Sequence, residues 1–335
     1  MITVVTCFFD LQRREGSTRR DAEFYLEHGR KLCGFNVPMV IFADPEYAPR
    51  IREMREAAGH NDRTLVVPFL FEQLPHHART QQIIENRKMN PIPMLNPLKD
   101  TAQYQILIWA KPWLVRQAID LDPFAATHYV WHDFALHHVA TTNHVVEDDV
   151  YTDEPRKIRY MEIRVMDPRL MTDWKEYFRQ FHWYCAGAMF RGPRERMVWF
   201  YEQFDLVLNE ILDAGFAPLD QEITPVLVHR FPDRFESYCG DYRSIMENYR
   251  FAREDSWLLA LYAREATLFG QREKLCRLGK TVLDSQRAGV FGGNRDELSE
   301  ILNLWYVEAS PEERKKISDF RSEIPAQTGH PENRI

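Results

Sequence analysis

Strand-like and helix-like segments alternate from the first residue of this chain, and that rhythm limits the fold more than any other feature. Residues 2–9 are rich in β-branched and aromatic side chains and read as a buried strand. Residues 18–33 suit a helix, with Phe24, Tyr25, His28 and Leu32 near one face. Residues 38–42 (Pro-Met-Val-Ile-Phe) form a second strand, 46–58 a helix that gathers Ile51, Met54 and Arg55, and 64–67 a third strand. Such alternation predicts an α/β protein with a mostly parallel, Rossmann-type sheet flanked by helices.

The rhythm continues with interruptions. Residues 86–100 contain Pro91, Pro93 and Pro97 and read as a loop. Residues 101–119 are helical by pattern, with Tyr104, Leu107, Ile108, Val115 and Ile119 in the stripe and Pro112 placed to bend or split it. A strand ending at Trp131 follows. Residues 141–158 are acidic and read as a surface excursion. Residues 184–190 read as a strand. Residues 193–214 form the clearest helix, opened by Pro193 and closed by Gly215. Beyond Tyr242 the β signal ends, and segments near 244–251, 255–268, 271–287, 295–308 and 311–320 read as helices. The expected organisation is a sheet domain over 1–243, helical hairpins over 244–322 and a flexible tail over 323–335.

Composition excludes several classes. A net charge of −7 argues against a general nucleic-acid binder, which needs a basic field. Five scattered cysteines without a CxxC pair argue against a disulfide scaffold or structural zinc. No apolar run approaches the ~18 residues of a membrane span, and the first residues already read as core strand rather than signal peptide. The expected compartment is the cytosol, with peripheral attachment at the inner face of the membrane left open.

Four constellations carry chemistry. Residues 127–138 read Thr-His-Tyr-Val-Trp-His-Asp-Phe-Ala-Leu-His-His, so a short strand delivers Asp133 at its end among His128, His132, His137 and His138. In open α/β sheets the ligand crevice lies at the carboxyl ends of the strands. A carboxylate there suits a hard divalent cation that also holds phosphates; the plainer alternative is a cap on the next turn. Asp220-Gln221 opens a short helix, as its cap or as a carboxylate facing a sugar. Residues 185–193, with Ala186-Gly187-Ala188 and Gly192-Pro193, let a ligand approach the backbone or let strands pack closely. Arg55, Arg63, Lys88, Lys99 and Lys111 could meet a diphosphate or face solvent. His229, Asp241 and Tyr242 are further candidates, and the aromatics of 178–184 stack on a sugar or fill the core.

In this order the pieces resemble a bacterial family of glycosyltransferases, the WlaTC/HtrL family. The resemblance rests on Thr3-Val4-Val5-Thr6-Cys7-Phe8-Phe9-Asp10, on 38–44 and 51–55, on Tyr104 with Lys111, on Trp131-His132-Asp133-Phe134, on Gly187 and Gly192, on Asp220-Gln221 and on Gly240-Asp241-Tyr242. It spans roughly residues 1–250. It implies a GT-A-like fold and transfer of a hexose from a nucleotide-diphosphate sugar, such as a UDP-sugar, to a hydroxyl of a cell-surface glycan or lipopolysaccharide precursor. It further implies Thr6, Phe8 and Asp10 at the base or ribose, and Arg55 and Lys111 at the diphosphate. Trp131, His132 and Gly187 would join the donor site. Asp133 would hold Mn²⁺ or Mg²⁺ with help from His229 or Asp241, and Asp220 with Gln221 would be catalytic, with inversion or retention left open. One departure is plain: the Asp-x-Asp pattern of GT-A enzymes is incomplete, because residue 135 is Ala, so a metal-independent variant that uses Lys and Arg instead stays open beside the metal reading.

Two other readings compete. His132-Asp133 could serve a metal-dependent phosphohydrolase, although such dyads sit on helices. The helical C-terminal region could instead make the protein a non-catalytic adaptor.

Overall fold

The computed structural model describes residues 1–11, 20–92, 100–140 and 147–323. They divide into two compact units, Met1–Arg250 and Phe251–Ile335.

The first unit carries β1 (Ile2–Phe8), α1 (Ala22–Cys33), β2 (Met39–Ala43), α2 (Ala48–Ala57) and β3 (Thr64–Pro68). Next come α3 (Thr80–Met89), α4 (Ala102–Trp109), α5 (Lys111–Leu121), β4 (His128–His132), α6 (Glu147–Tyr151) and β5 (Ile158–Glu162). It closes with α7 (Trp174–Tyr177), β6 (Cys185–Pro193), α8 (Arg194–Asp213), α9 (Asp220–Arg230) and β7 (Phe235–Cys239). The strands form one seven-stranded sheet in the order β3-β2-β1-β4-β6-β5-β7. Neighbours pair in parallel except at β6, which runs antiparallel to both β4 and β5. The expected α/β architecture is therefore present, with a mostly parallel sheet and helices flanking it.

The apolar runs explain the sheet. All five residues of β2 are buried, as a strand covered on both faces requires. Val5 stands opposite Val40 on one side and Trp131 on the other. The chain builds β1, β2 and β3 outward to one edge, then returns to place β4 on the other side of β1. That reversal is a topological switch point, and the crevice beyond the carboxyl ends of β1 and β4 is where such sheets bind ligands.

Several local expectations change. The buried face of α1 is Leu26, Gly29, Leu32 and Cys33 rather than the Phe24-Tyr25-His28 stripe, because Gly29 admits the ring of Phe134. Residues 86–89 complete α3 instead of starting a loop, and 93–99 lie outside the described residues. In the acidic excursion, Val150 and Tyr151 are buried and 158–162 is strand β5, while 141–146 lie outside the described residues. Strand β7 also went unread, since Phe-Glu-Ser-Tyr-Cys has little β-branched character. Pro112 does split its helix: α4 ends at Trp109 and α5 begins at Lys111 with the proline in its first turn. Residues 244–250 pack with the sheet unit, where Tyr238 Oη donates to the Ile245 carbonyl at 2.8 Å.

The second unit holds α10 (Ser256–Leu268), α11 (Arg272–Arg287), α12 (Arg295–Glu308) and α13 (Pro311–Glu323). Leu259, Leu278, Val282, Ile301 and Trp305 are buried. Asn294 and Glu297 form a reciprocal cap at the start of α12. Gly279 gives the indole of Trp305 its room, since a Cβ there would lie 2.4 Å from the ring. Among the described residues no helix is long and apolar enough to cross a membrane.

Candidate functional site

A cavity of about 530 Å³ opens at the switch point, within the range of small-molecule sites. Cys7, Phe8 and Asp10 enter from the end of β1, Trp131 and Asp133 from the end of β4, and Asp220 and Gln221 from the start of α9. Tyr104, Leu107, Ile108 and Lys111 share one wall. Their i, i+3, i+4, i+7 spacing is helical, and it survives the break at Ala110 because α5 starts directly after α4.

Three charged groups meet at the floor. The Lys111 ammonium lies 3.1 Å from Oδ1 and 3.3 Å from Oδ2 of Asp133, 3.0 Å from Oδ2 of Asp220 and 2.9 Å from the Gly187 carbonyl. Lys111 is buried. Burial by itself would lower its pKa, but the two carboxylates outweigh it and hold the ammonium well above the usual lysine range. Asp220 moves the other way: burial raises its carboxyl above the ordinary range, opposed by Lys111 and reinforced by Asp133. Asp133 also accepts from the Trp131 indole at 2.7 Å. Both of its oxygens are therefore engaged from the protein side.

The rest of the site orders this floor. Gln221 Oε1 accepts from Tyr242 Oη at 2.6 Å, and that oxygen accepts from the Gly187 N–H at 3.3 Å. Asp241 lines the cavity, yet its carboxylate caps its own turn by accepting from Tyr242 N at 2.7 Å. Arg243 and Arg20 also line the cavity and are exposed, with the Arg20 guanidinium 5.0 Å from the Phe24 ring centre. Phe181 and Trp183 form a further wall. Trp183 has φ of 58°, a left-handed backbone that bulky residues rarely take. Its N–H, with that of His182, is held by the buried Glu222 carboxylate at 3.2 to 3.3 Å.

The structure thus gathers Phe8, Asp10, Lys111, Trp131, Asp133, Asp220, Gln221 and Asp241 around one cavity, with Gly187 directly behind its floor. It separates others. Thr6 is fully buried within β1 and does not line the cavity. Arg55 is not a diphosphate ligand: its guanidinium donates to the carbonyls of Cys33, Phe35 and Val37 and to Thr64 Oγ1, tying α2 to the end of α1, the turn before β2 and the start of β3. His229 is exposed in the last turn of α9, away from the cavity. His132 points to the opposite face of the sheet from Trp131, as strand alternation demands. It is fully buried, does not line the cavity and packs 5.5 Å from His137. Burial pushes its imidazole down to about 4. His132 is therefore corrected as a donor-site residue, and the His132-Asp133 dyad of the phosphohydrolase reading is pulled apart.

The residues present do not fit a divalent cation at this floor. The space between the two carboxylates holds an ammonium, and two unit like charges about 4 Å apart repel by roughly 4 kcal/mol near a protein surface, with about twice that for a divalent ion beside the ammonium. Among the described residues no group of three or more His, Cys, Asp or Glu is arranged to hold a metal.

Reading the chain missed Cys7, Tyr25, Arg20 and Arg243 as site residues, whereas Phe181 and Trp183 belong to the aromatic run it offers for stacking on a sugar and do line the cavity. Cys7 carried a usable signal, adjacency to a strand end. Arg20 and Arg243 carried none, because isolated surface arginines look alike in sequence.

A family model described as "Bacterial protein of unknown function (HtrL_YibB)" matches residues 1–251. Protein HtrL of Escherichia coli (strain K12) is 21% identical over 257 residues, covering 71% of this chain and 88% of that protein. Among solved structures, the apo form of mouse xyloside xylosyltransferase 1 aligns with a TM-score of 0.36 and 11% identity, over 71% of this chain and 85% of that one. From the family match, which takes in the whole sheet unit and every cavity residue named above, the chain belongs to the HtrL_YibB family of bacterial proteins.

Proposed function

We propose that the sheet unit is a glycosyltransferase that moves a sugar from a nucleotide-diphosphate sugar to a hydroxyl of a glycan or glycolipid. The observation that carries this reading is the pair Asp133 and Asp220 at the floor of a switch-point cavity. Asp133 stands at a strand end with a 36% exposed side chain, and Asp220 is buried with a raised pKa. Two carboxylates in unlike environments can take unlike roles. The aromatic walls, Phe8, Tyr25 and Trp183, offer faces for a base and a sugar ring. Arg243 and Arg20 at the rim supply positive charge for the diphosphate.

In the reaction the acceptor oxygen bonds to the anomeric carbon. The bond from that carbon to the diphosphate oxygen breaks, and the leaving group departs with the electron pair. In an inverting transfer the acceptor's proton passes to Asp220, whose burial raises its carboxyl's proton affinity above that of an ordinary aspartate. In a retaining transfer Asp220 positions the sugar instead. The transition state is oxocarbenium-like. A glycolipid acceptor, such as a lipopolysaccharide precursor, would bring the protein to the inner face of the membrane.

The test is a thermal-shift panel of nucleotide-diphosphate sugars, followed by sugar-transfer assays on Asp220→Asn and Asp133→Ala. A bound donor at ~100 times its Kd adds about 2.7 kcal/mol of stability. Asp220→Asn should lose kcat while keeping donor affinity, and Asp133→Ala should lose transfer. No shift with any donor, or full turnover in both variants, defeats the reading.

A further inference from the structure

We infer that Lys111 is a built-in cation: its ammonium stands where a divalent metal would otherwise join the two carboxylates, so the site works without one. The inference rests on the donor-site reading above, but its test does not depend on transfer.

The geometry is that of a cation among oxygens. Nζ is surrounded by both oxygens of Asp133, one of Asp220 and the Gly187 carbonyl, at 2.9 to 3.3 Å. Those lengths suit N⁺–H donors, whereas Mg²⁺ would need about 2.1 Å and an octahedron of oxygens. An ammonium has three N–H groups. One goes to each carboxylate and one to the carbonyl, so none is left over for a phosphate in this arrangement. Lys111 is therefore a positioning residue, and the expectation that it grips the diphosphate directly gives way to one in which it fixes Asp133 and Asp220.

Three sequence features build this. The helix break places Lys111 on the first turn of α5, facing the end of β4. The missing second acid, Ala135, removes a ligand that a metal would use. Gly187 lets Asp220 come close enough to share the ammonium.

The proposal predicts a reversal. Removing the ammonium leaves two carboxylates and a carbonyl facing one another, and Mn²⁺ commonly binds through one or two carboxylates and water. Mn²⁺ binding to the full-length chain is followed by calorimetry and by loss of the free-ion paramagnetic resonance signal. The wild type should show no binding that depends on Asp133. Lys111→Ala should gain at least about tenfold in Mn²⁺ affinity, and a second substitution, Asp133→Asn, should abolish the gain. Lys111→Met keeps the stem's packing and serves should the alanine variant fail to fold. Donor affinity in the wild type should be unchanged by EDTA. The inference is overturned by wild-type Mn²⁺ binding that Asp133→Asn removes, or by a folded Lys111 variant that gains none. Should the cation results hold while no nucleotide sugar binds, the built-in cation stands and the transferase reading falls.

Discussion

Gly187 and Asp220 contend for the same space: a Cβ on Gly187 would lie 2.5 Å from Oδ2 of Asp220, the oxygen that meets Lys111. The absence of a side chain at one position thus sets the carboxylate's place at another. Gly187→Ala should push Asp220 away from the ammonium. We expect a stability loss of roughly 1–3 kcal/mol from overpacking and a fall in transfer of roughly a hundredfold from misplacement. Chemical denaturation and steady-state kinetics read the two effects. Unimpaired turnover would show that Asp220 need not stand where it does.

Glu222 couples the cavity wall to pH. Burial pushes its carboxyl from 4.5 up to about 7, against the N–H groups of Trp183 and His182 that favour the ion. A folded pKa above the unfolded one adds stability that is complete below about 4.5 and is lost as pH rises through about 7. Glu222→Gln keeps an acceptor for both N–H groups and removes the titration. Between pH 5 and pH 8, wild type should lose roughly 2 to 3 kcal/mol relative to that variant. Urea unfolding at both pH values measures it, and a flat difference would place the titration elsewhere.

Arg55 should behave as a structural residue. Arg55→Ala strands the carbonyls of Cys33, Phe35 and Val37 and should cost roughly 3 kcal/mol, while donor affinity stays the same. Arg55→Lys recovers little, because one ammonium cannot reach four acceptors in a plane. A variant of unchanged stability with weakened nucleotide binding would return Arg55 to the donor site.

Arg243 should behave in the opposite way. It is exposed at the cavity rim, so Arg243→Ala should leave the melting temperature in place. Binding of a nucleoside diphosphate should weaken about tenfold, equal to about 1.4 kcal/mol, and the loss should shrink as salt rises. Binding to the nucleoside alone should not change. Equal losses for nucleoside and diphosphate would assign Arg243 to some other contact.

What the sequence determined alone is local. Apolar runs with β-branched residues marked β1 to β4, because a strand covered on both faces must be apolar throughout. Helical periodicity with Pro193, Pro112 and Gly215 marked where helices start, break and end, since these residues act through their own backbone. The helices of the second unit were legible for the same reason. Only tertiary structure decided which polar groups meet. Lys111, Asp133, Gly187 and Asp220 come from α5, the end of β4, β6 and α9, and no spacing in the chain encodes that they share one ammonium. Side-chain direction decided the rest. Strand alternation turned His132 away from the cavity while Asp133, beyond the strand's end, reached it, and packing spent Arg55 on backbone carbonyls. A charged residue's role depends on its partners, and for this site those partners are set by how the sheet brings distant segments together.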